Sequence, residues 1–509
     1  MIISLLQVIW KIGLLSPSGL FRLIFTIYKE GINLMVLVRL AEKRFGNQIA
    51  IVTDTESITY NQLARNCEVA SIYLKDNRHL SSGKNVAILS KNHHHFVHSI
   101  FAASRLGTNV YLMNPTMSTI QFKQLVDTYH FDLYIYDEEA ISLLKDLQLL
   151  HLAIESSYIN HFIHEDIRLK ATSMKRSSKG RLILLTGGTT GTPKKAVHKP
   201  SLINYLHPFL TVLERLRLMQ YRTAYIATPL YHGYGIAILL TFIALGKKVI
   251  LSEYFQAEKA SQIIRRHKVE IITVVPLMIH KLVKHKPDYL TSLQCIASGG
   301  AHLNAKLVEE VNNKLGPILY NLYGTSEAGL NTIATPKDLQ YSPDTIGRLV
   351  KGGKLEVIGN GTQLKEGQIG QLCTKNRWSI KNKDASWIET GDMGYRDTNG
   401  YYYLCGRTDD LIVSAGVNIY PKEVEQVLIH HPLIKEVAIL GIADEQYGQR
   451  LIAYVELNNE GEQLTEITLL EWLSLRIPRI HLPKDIIFVD QLPYTTLGKL
   501  DRKQLAACR

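Results

Sequence analysis

Apolar positions in this chain alternate between two periods before settling into a third pattern. From residue 41, short β-prone runs alternate with helical spacing. Strands are expected over 49–53, 86–89, 109–113 and 133–136, and again over 224–228, 248–251 and 271–275. Helices fill the intervals, one of them running through 96–106, and Thr59 stands where an N-cap would open another. Such alternation argues for parallel sheets covered on both faces. Beyond Gly353 the strands shorten, and Asn360-Gly361, Glu366-Gly367 and Asn399-Gly400 mark hairpin turns in an antiparallel sheet. The last hundred or so residues read as a small separate α/β unit, entered through a turn of charged residues.

The first thirty residues follow a different pattern. They are apolar but interrupted by Lys11, Pro17, Arg22 and Lys29, so no stretch reaches the roughly 18 to 20 apolar residues that span a bilayer. Lys11 follows the apolar run instead of preceding it, and no small-residue cleavage site stands out, so a signal peptide is not expected. Two short amphipathic helices around Pro17 are expected, carrying Trp10, Phe21, Phe25 and Tyr28. A membrane interface accepts such segments, and so does the protein's own core.

At 509 residues the chain exceeds one compact core, and a large domain with at least one smaller one is expected. Hydrophobic content of 46% with 20% charged residues excludes a disordered chain. The formal charge of +12 is spread without a dense basic run or nucleic-acid motif, so no nucleic-acid partner is expected. Attraction to anionic lipid or phosphate-rich ligands fits that charge equally well. Five widely spaced cysteines, Cys67, Cys295, Cys373, Cys405 and Cys508, suit neither a disulfide framework nor a zinc site and point to a reduced cytosol. Adjacent His93, His94 and His95, with His98, fall in a helical pattern that aims them in different directions, which disfavours a metal site.

Chemistry concentrates in Leu184-Leu185-Thr186-Gly187-Gly188-Thr189-Thr190-Gly191-Thr192-Pro193-Lys194-Lys195, directly after a β-prone run. Glycines let backbone N–H groups approach an anion, hydroxyls add donors and lysine adds charge, a composition suited to polyphosphate. Counted from Gly188, it is close to a Walker A loop. Pro193 replaces the second glycine, however, and Lys195 stands where a Ser/Thr should hold Mg2+, which excludes an ordinary P-loop NTPase.

Further motifs follow in order. They are Pro229-Leu230-Tyr231-His232-Gly233-Tyr234-Gly235, Ser298-Gly299-Gly300-Ala301 and Leu322-Tyr323-Gly324-Thr325-Ser326-Glu327. Then come Trp387-Ile388-Glu389-Thr390-Gly391-Asp392, Gly406-Arg407-Thr408-Asp409-Asp410 and Leu497-Gly498-Lys499. With residues 186–195, this set resembles the adenylate-forming enzymes, in particular the acyl-CoA synthetase and fatty acid–CoA ligase branch. The resemblance extends from about residue 35 to the C-terminus. It implies a large N-terminal domain of stacked α/β subdomains plus a β-rich subdomain, and a small mobile C-terminal α+β domain. The corresponding boundaries are an N-terminal extension 1–34, a large AMP-binding domain 35–408 and a mobile domain 409–509, hinged at Asp409.

The resemblance also implies roles. Thr186, Thr189, Thr190 and Lys194, with Gly188 and Gly191, hold the β- and γ-phosphates of ATP. Gly187 stands where serine is usual and Lys195 where glycine is usual. Glu327 is the Mg2+ ligand, with the Ser326 hydroxyl in place of the commoner threonine. Gly300, Ala301, Tyr323, Gly324 and Thr325 belong to the adenine slot, Asp392 accepts from the ribose hydroxyls, and Arg407 lies near ribose and phosphate. Lys499 bridges the substrate carboxylate and the α-phosphate as the acyl-adenylate forms. The small domain then turns about Asp409, withdrawing Lys499 and bringing Gly416 to line a tunnel for coenzyme A. His232 matches a mobile aromatic gate near the acyl carbonyl.

No aspartate near His232 is available to pair a substrate ammonium, so an amino acid is not expected. The apolar run 236–243 and the small Gly299-Gly300-Ala301 wall suit an apolar acid. A medium- or long-chain fatty acid is the expectation. Aryl or short-chain acids and an acyl carrier protein acceptor stay open, as does a silent scaffold at a peripheral membrane surface.

Overall fold

The structure, a computed structural model, describes residues 16–164, 174–186, 194–198, 202–325, 328–376, 378, 387–415, 417–458, 464–494 and 500–507. The chain divides into two units, Met1–Val274 with Asp288–Ala297 and Val275–Pro287 with Ser298–Arg509.

Two sheets with largely parallel strands build the first unit. In one, Ala153–Glu155, Leu133–Tyr136, Asn85–Leu89, Asn109–Met113 and Arg181–Thr186 run parallel, and Lys194–His198 closes the edge antiparallel. In the other, Ile271–Val274, Thr223–Ile226, Lys248–Leu251 and Ile49–Val52 run parallel, followed by antiparallel Ser57–Thr59. Val86, Ile88, Leu112 and Ile135 in the first sheet are buried, as are Ile51, Ile226 and Ile272 in the second. This is the continuous apolar lining expected of strands covered on both faces. Helix His94–Arg105 is buried at every residue but His95. Thr59 caps helix Tyr60–Arg78 in a full capping box with Gln62.

The second unit is mostly antiparallel. Its larger sheet runs in the order Thr362–Gln363, Lys354–Gly359, Gly370–Lys375, Ile388–Arg396, Tyr402–Arg407, Thr345–Leu349, Gly329–Ala334, Leu319–Thr325. The Asn360-Gly361 turn has both φ angles positive, at 50° and 77°, and closes the first hairpin as that dipeptide should. Toward the C-terminus, Ile434–Asp444 pairs with Gly448–Leu457, which also pairs Ile412–Ser414 and, in parallel, Asp485–Val489. Helices Pro421–Ile429 and Glu466–Ser474 contribute Val424, Leu428 and Leu469 to the core beside Ile419, Ile439 and Ala453. The expected domain boundary falls at the short turn Thr408–Asp410, within this unit.

Of the two helices expected around Pro17, the structure shows Pro17–Glu30, begun by proline at N1 and capped by Ser16. Residues 1–15 lie outside the described residues. Cys67, Cys295, Cys373 and Cys405 are buried thiols, and Cys508 lies outside the described residues. Adjacent histidines do diverge. The His93 ring meets Asp137 at 2.8 Å, whereas His94 meets Glu56 at 2.8 Å.

Asp137, at the end of strand Leu133–Tyr136, is a polar anchor of this unit. It accepts from Ser90 Oγ at 2.9 Å, Ser156 Oγ at 2.6 Å and the Lys91 backbone at 2.8 Å, besides His93. Replacing it leaves several buried donors without an acceptor, so Asp137→Ala should cost roughly 3 kcal/mol. Urea unfolding followed by fluorescence checks this, and an unchanged midpoint would contradict it.

Candidate active site

In the second unit, three of the expected residues meet around one carboxylate. Strands Ile388–Arg396 and Tyr402–Arg407 pair so that Asp392 stands opposite Arg407. Arg407 Nη1 donates to Asp392 Oδ1 at 3.0 Å and to the Thr390 carbonyl at 3.2 Å. The Tyr323 hydroxyl donates to Asp392 Oδ2 at 2.7 Å. Gly391 makes the crossing feasible. Its φ is +75°, and a Cβ there would lie 2.8 Å from Arg407 Nη2.

Tyr323 lies on strand Leu319–Thr325, four steps from the Asp392 strand in the sheet order. On a flat sheet, four steps of about 4.8 Å would separate them by about 19 Å, beyond the reach of the two side chains. The sheet therefore curls. Register shifts at Tyr323/Gly324, Thr345/Gly347 and Met393/Gly394 provide the bends. Gly347 sits so tightly on the neighbouring strand that a Cβ would come within 2.2 Å of the Ile333 carbonyl. Tyr323, Ile346, Leu355, Leu372 and Tyr402 fill the concave side.

Burial opposes the Arg407 charge, but Asp392, Asp409 and Asp410 outweigh it and hold its pKa above the usual range. Burial, then the Asp392 charge, push the Tyr323 phenol well up, so it remains a donor. A carboxylate has about four acceptor positions, and Asp392 spends two on these side chains. The remainder suits a vicinal diol. Asp392 nonetheless keeps 13% of its side chain exposed, and Arg407 keeps 38%.

Other expected residues of this unit stand at strand ends. Thr325 Oγ1 accepts from the Ala328 backbone at 3.2 Å, and a Cβ on Gly324 would lie 2.5 Å from the Gly329 carbonyl. Ser326 and Glu327 lie outside the described residues. Gly300 has φ +83° and Ala301 is half-buried beside it. The Ser298 hydroxyl just before them is buried with no hydrogen-bond partner among the described residues. Asp409 is exposed in the turn after Arg407, 4.0 Å from its Nη2. Gly416 and Lys499 lie outside the described residues. Ala415, before Gly416, holds φ 46°, and a bridge between Tyr494 and Leu500 brackets the segment containing Lys499.

In the first unit, strands Arg181–Thr186 and Lys194–His198 place Thr186 directly opposite Lys194. The residues joining them, including Gly188, Thr189, Thr190 and Gly191, lie outside the described residues. His232 occupies the N-cap position of helix Gly233–Ala244, its ring 4.6 Å from that of Tyr231. Burial pushes the Tyr231 phenol up to about 12. The Tyr234 hydroxyl donates to the Ala297 carbonyl at 2.8 Å. Gly235 abuts the Pro229 carbonyl, where a Cβ would come within 2.4 Å.

Residues 38–381 match the AMP-binding enzyme family model, and residues 423–499 match the model of the AMP-binding enzyme C-terminal domain. The chain belongs to the AMP-binding enzymes. It is an ATP-dependent acid–CoA ligase, and acid–CoA ligases of this family use ATP, Mg2+ and coenzyme A.

The 2-succinylbenzoate–CoA ligase of Bacillus licheniformis is 28% identical over 473 residues, covering 90% of this chain and 96% of that one. That of Geobacillus kaustophilus is 30% identical, covering 84% and 88%. A medium/long-chain-fatty-acid–CoA ligase of Mycobacterium tuberculosis, FadD8, is 25% identical, covering 92% and 88%. In fold, this AMP-binding enzyme is similar to the amide bond synthetase McbA of Marinactinospora thermotolerans. The TM-score is 0.82 at 21% identity, covering 93% of this chain and 99% of that one.

Two contacts in this enzyme escaped the sequence reading. Arg502, three residues past Lys499, donates to the Ile439 carbonyl at 2.8 Å and lies 3.4 Å from Asp410. Lys422, on helix Pro421–Ile429, is buried with its Nζ 3.0 Å from His302 Nδ1. Burial pulls the Lys422 pKa down to about 8, against the pull of Glu425, Cys405, Asp344 and Asp392. A lysine depressed in the folded state binds fewer protons there than in the unfolded chain, so its contribution to stability rises with pH from about 8 toward 10.5. Urea midpoints measured at pH 8 and 10 should show this rise in the wild type and a smaller one in Lys422→Met. Equal rises would contradict it.

Proposed function

We propose that this ligase activates an aromatic carboxylic acid, with 2-succinylbenzoate the first candidate, and transfers it to coenzyme A. The observation that carries the reading is the alignment with 2-succinylbenzoate–CoA ligases over nine-tenths of this chain. A fatty acid, expected from the sequence, is the second reading. FadD8 supports it, as does the apolar helix Gly233–Ala244 after His232.

A carboxylate is a poor acyl donor because oxide would have to leave. In the first step the acid's oxygen attacks the α-phosphorus of ATP, the bond to pyrophosphate breaks, and an acyl-adenylate forms. In the second step a thiolate attacks the acyl carbon, the acyl C–O bond breaks, and AMP departs. Asp392 accepts from the ribose hydroxyls, with Tyr323 and Arg407 fixing its orientation. Thr186, Thr189, Thr190 and Lys194, with the backbone at Gly188 and Gly191, hold the terminal phosphates. Mg2+ held by Glu327 beside Ser326 would neutralise phosphate charge. Lys499 stabilises the charge that builds between carboxylate and α-phosphate. His232 gates the acyl carbonyl, Gly300 and Ala301 wall the adenine side with Gly324 and Thr325, and Gly416 lines the thiol's approach. Motion about Asp409 exchanges the two states of the small domain 409–509, with 35–408 as the large one. The five cysteines, buried where described, suit a reducing cytoplasm.

Two measurements test this reading. Purified protein with ATP, Mg2+, coenzyme A and a panel of acids should give acyl-CoA and stoichiometric AMP, with kcat/KM for 2-succinylbenzoate at least tenfold above that for palmitate or octanoate. The reverse order would establish the fatty-acid reading. Acyl-AMP accumulating despite coenzyme A would point to a carrier-protein acceptor. Lys499→Ala should lower adenylate formation by about 10² or more, the scale of losing a transition-state donor, and leave thioester formation from supplied acyl-AMP nearly unchanged. Equal loss in both half-reactions would contradict the role given to Lys499.

A further inference from the structure

Helix Pro17–Glu30 precedes residue 38, where the family match begins, so that match does not include it. It is firmly seated. Gly19, Thr26 and Glu30 face the body of the first unit and are buried. Glu30 pairs with Arg105 and lies 3.5 Å from Arg39, Lys43 donates to Thr26 at 3.1 Å, and Asn33 donates to the Ser177 carbonyl at 2.9 Å.

Its opposite face is apolar and open to solvent. Leu20, Phe21, Ile24, Phe25 and Tyr28 are 51%, 68%, 59%, 48% and 70% exposed. At about 100° per residue, these five positions form one continuous stripe. Phe21 and Phe25 stack with centroids 6.1 Å apart. A cluster of this kind on a water-exposed helix marks a docking surface.

The rim of the stripe is cationic. Exposed Arg22 and Lys29 run along one edge. Lys43 Nζ lies 5.3 Å from the Phe25 ring centroid, and the Arg176 guanidinium lies 5.9 Å from that of Tyr28. The helix has one carboxylate, Glu30, and it is buried in its ion pairs. Residues 1–15 add eleven apolar side chains, one lysine and no carboxylate to the sequence on its N-terminal side.

We propose that helix Pro17–Glu30 docks this enzyme on an anionic lipid bilayer, lying in the interface with Leu20, Phe21, Ile24, Phe25 and Tyr28 inserted. Charge decides between occupants. A second copy would press one cationic rim against another within chains of net charge +12, whereas anionic headgroups complement both the rim and the whole molecule. At 14 residues the helix is too short to cross a bilayer, and no described helix is long and apolar enough to do so. A stripe of aromatic and aliphatic side chains edged by Arg and Lys is the pattern of a helix lying in the interface plane. The inference holds whichever acid the ligase activates.

Flotation of the full-length protein with phosphatidylcholine vesicles, with and without 30% phosphatidylglycerol, tests it. Binding to the anionic vesicles should exceed binding to the neutral ones by about tenfold and weaken with added salt, as adsorption through both apolar insertion and charge requires. Phe21→Glu/Phe25→Glu and Arg22→Glu/Lys29→Glu should each lower it by about tenfold or more, while ATP-dependent turnover and the thermal midpoint stay unchanged. Three results would overturn the proposal: no flotation of the wild type at low salt; binding that survives Phe21→Glu/Phe25→Glu but vanishes on deletion of residues 2–15; or a dimer in light scattering that the Phe variant splits, which would make a second copy the occupant.

Discussion

The Asp392 carboxylate, held between the Tyr323 hydroxyl and the Arg407 guanidinium, constrains the whole β-rich part of the second unit. A half-buried anion needs partners, and two of them come from strands one step and four steps away in the sheet order. Arg407 comes from the adjacent strand through ordinary antiparallel register. Tyr323 comes from four strands away, so the sheet has to close on itself for the contact to exist. Register shifts and the glycines at 347 and 391 supply that curvature, and the apolar side chains inside it supply the burial that keeps the tyrosine protonated. Packing, backbone conformation and electrostatics are thus met by one arrangement, which leaves two carboxylate acceptor positions toward solvent.

The first unit solves a different problem. Its parallel strands are buried on both faces, so their free ends are the places where polar groups can gather at low cost in packing. Asp137, at one such end, is fully committed to internal donors and serves the fold. Thr186 and Lys194, paired across an edge hairpin, open the Gly/Thr-rich loop. Burial separates these cases, because a carboxylate that already accepts from four internal donors has little capacity left for a ligand.

Much of this was legible before any coordinates. The short hairpins expected beyond residue 353 are there, because side-chain period and turn residues are local properties, but the antiparallel pairing begins earlier, between Leu319–Thr325 and Gly329–Ala334. The Asn360-Gly361 turn and the Thr59 cap were readable for the same reason. The meeting of Tyr323 with Asp392 was not, since it joins residues 69 apart through the curl of a sheet. Nor was the burial of Lys422 beside His302, for a lysine in an amphipathic helix looks solvated in sequence. The N-terminal segment was half legible. Either a membrane interface or the protein's own core was expected, and helix Pro17–Glu30 presents one face to its own unit while leaving its apolar stripe outside. The identity of the acid depends on how side chains far apart in the sequence pack together, which no local pattern encodes.

The central claim is that the Asp392 cluster holds the ribose of the nucleotide. Saturation kinetics with ATP and with 2′,3′-dideoxy-ATP, in the wild type and in Asp392→Ala, test it as a double-difference experiment. The account predicts that the wild type prefers ATP by about tenfold or more, the scale of hydrogen bonds to a charged acceptor, and that the variant loses most of that preference. Undiminished discrimination in Asp392→Ala would contradict it.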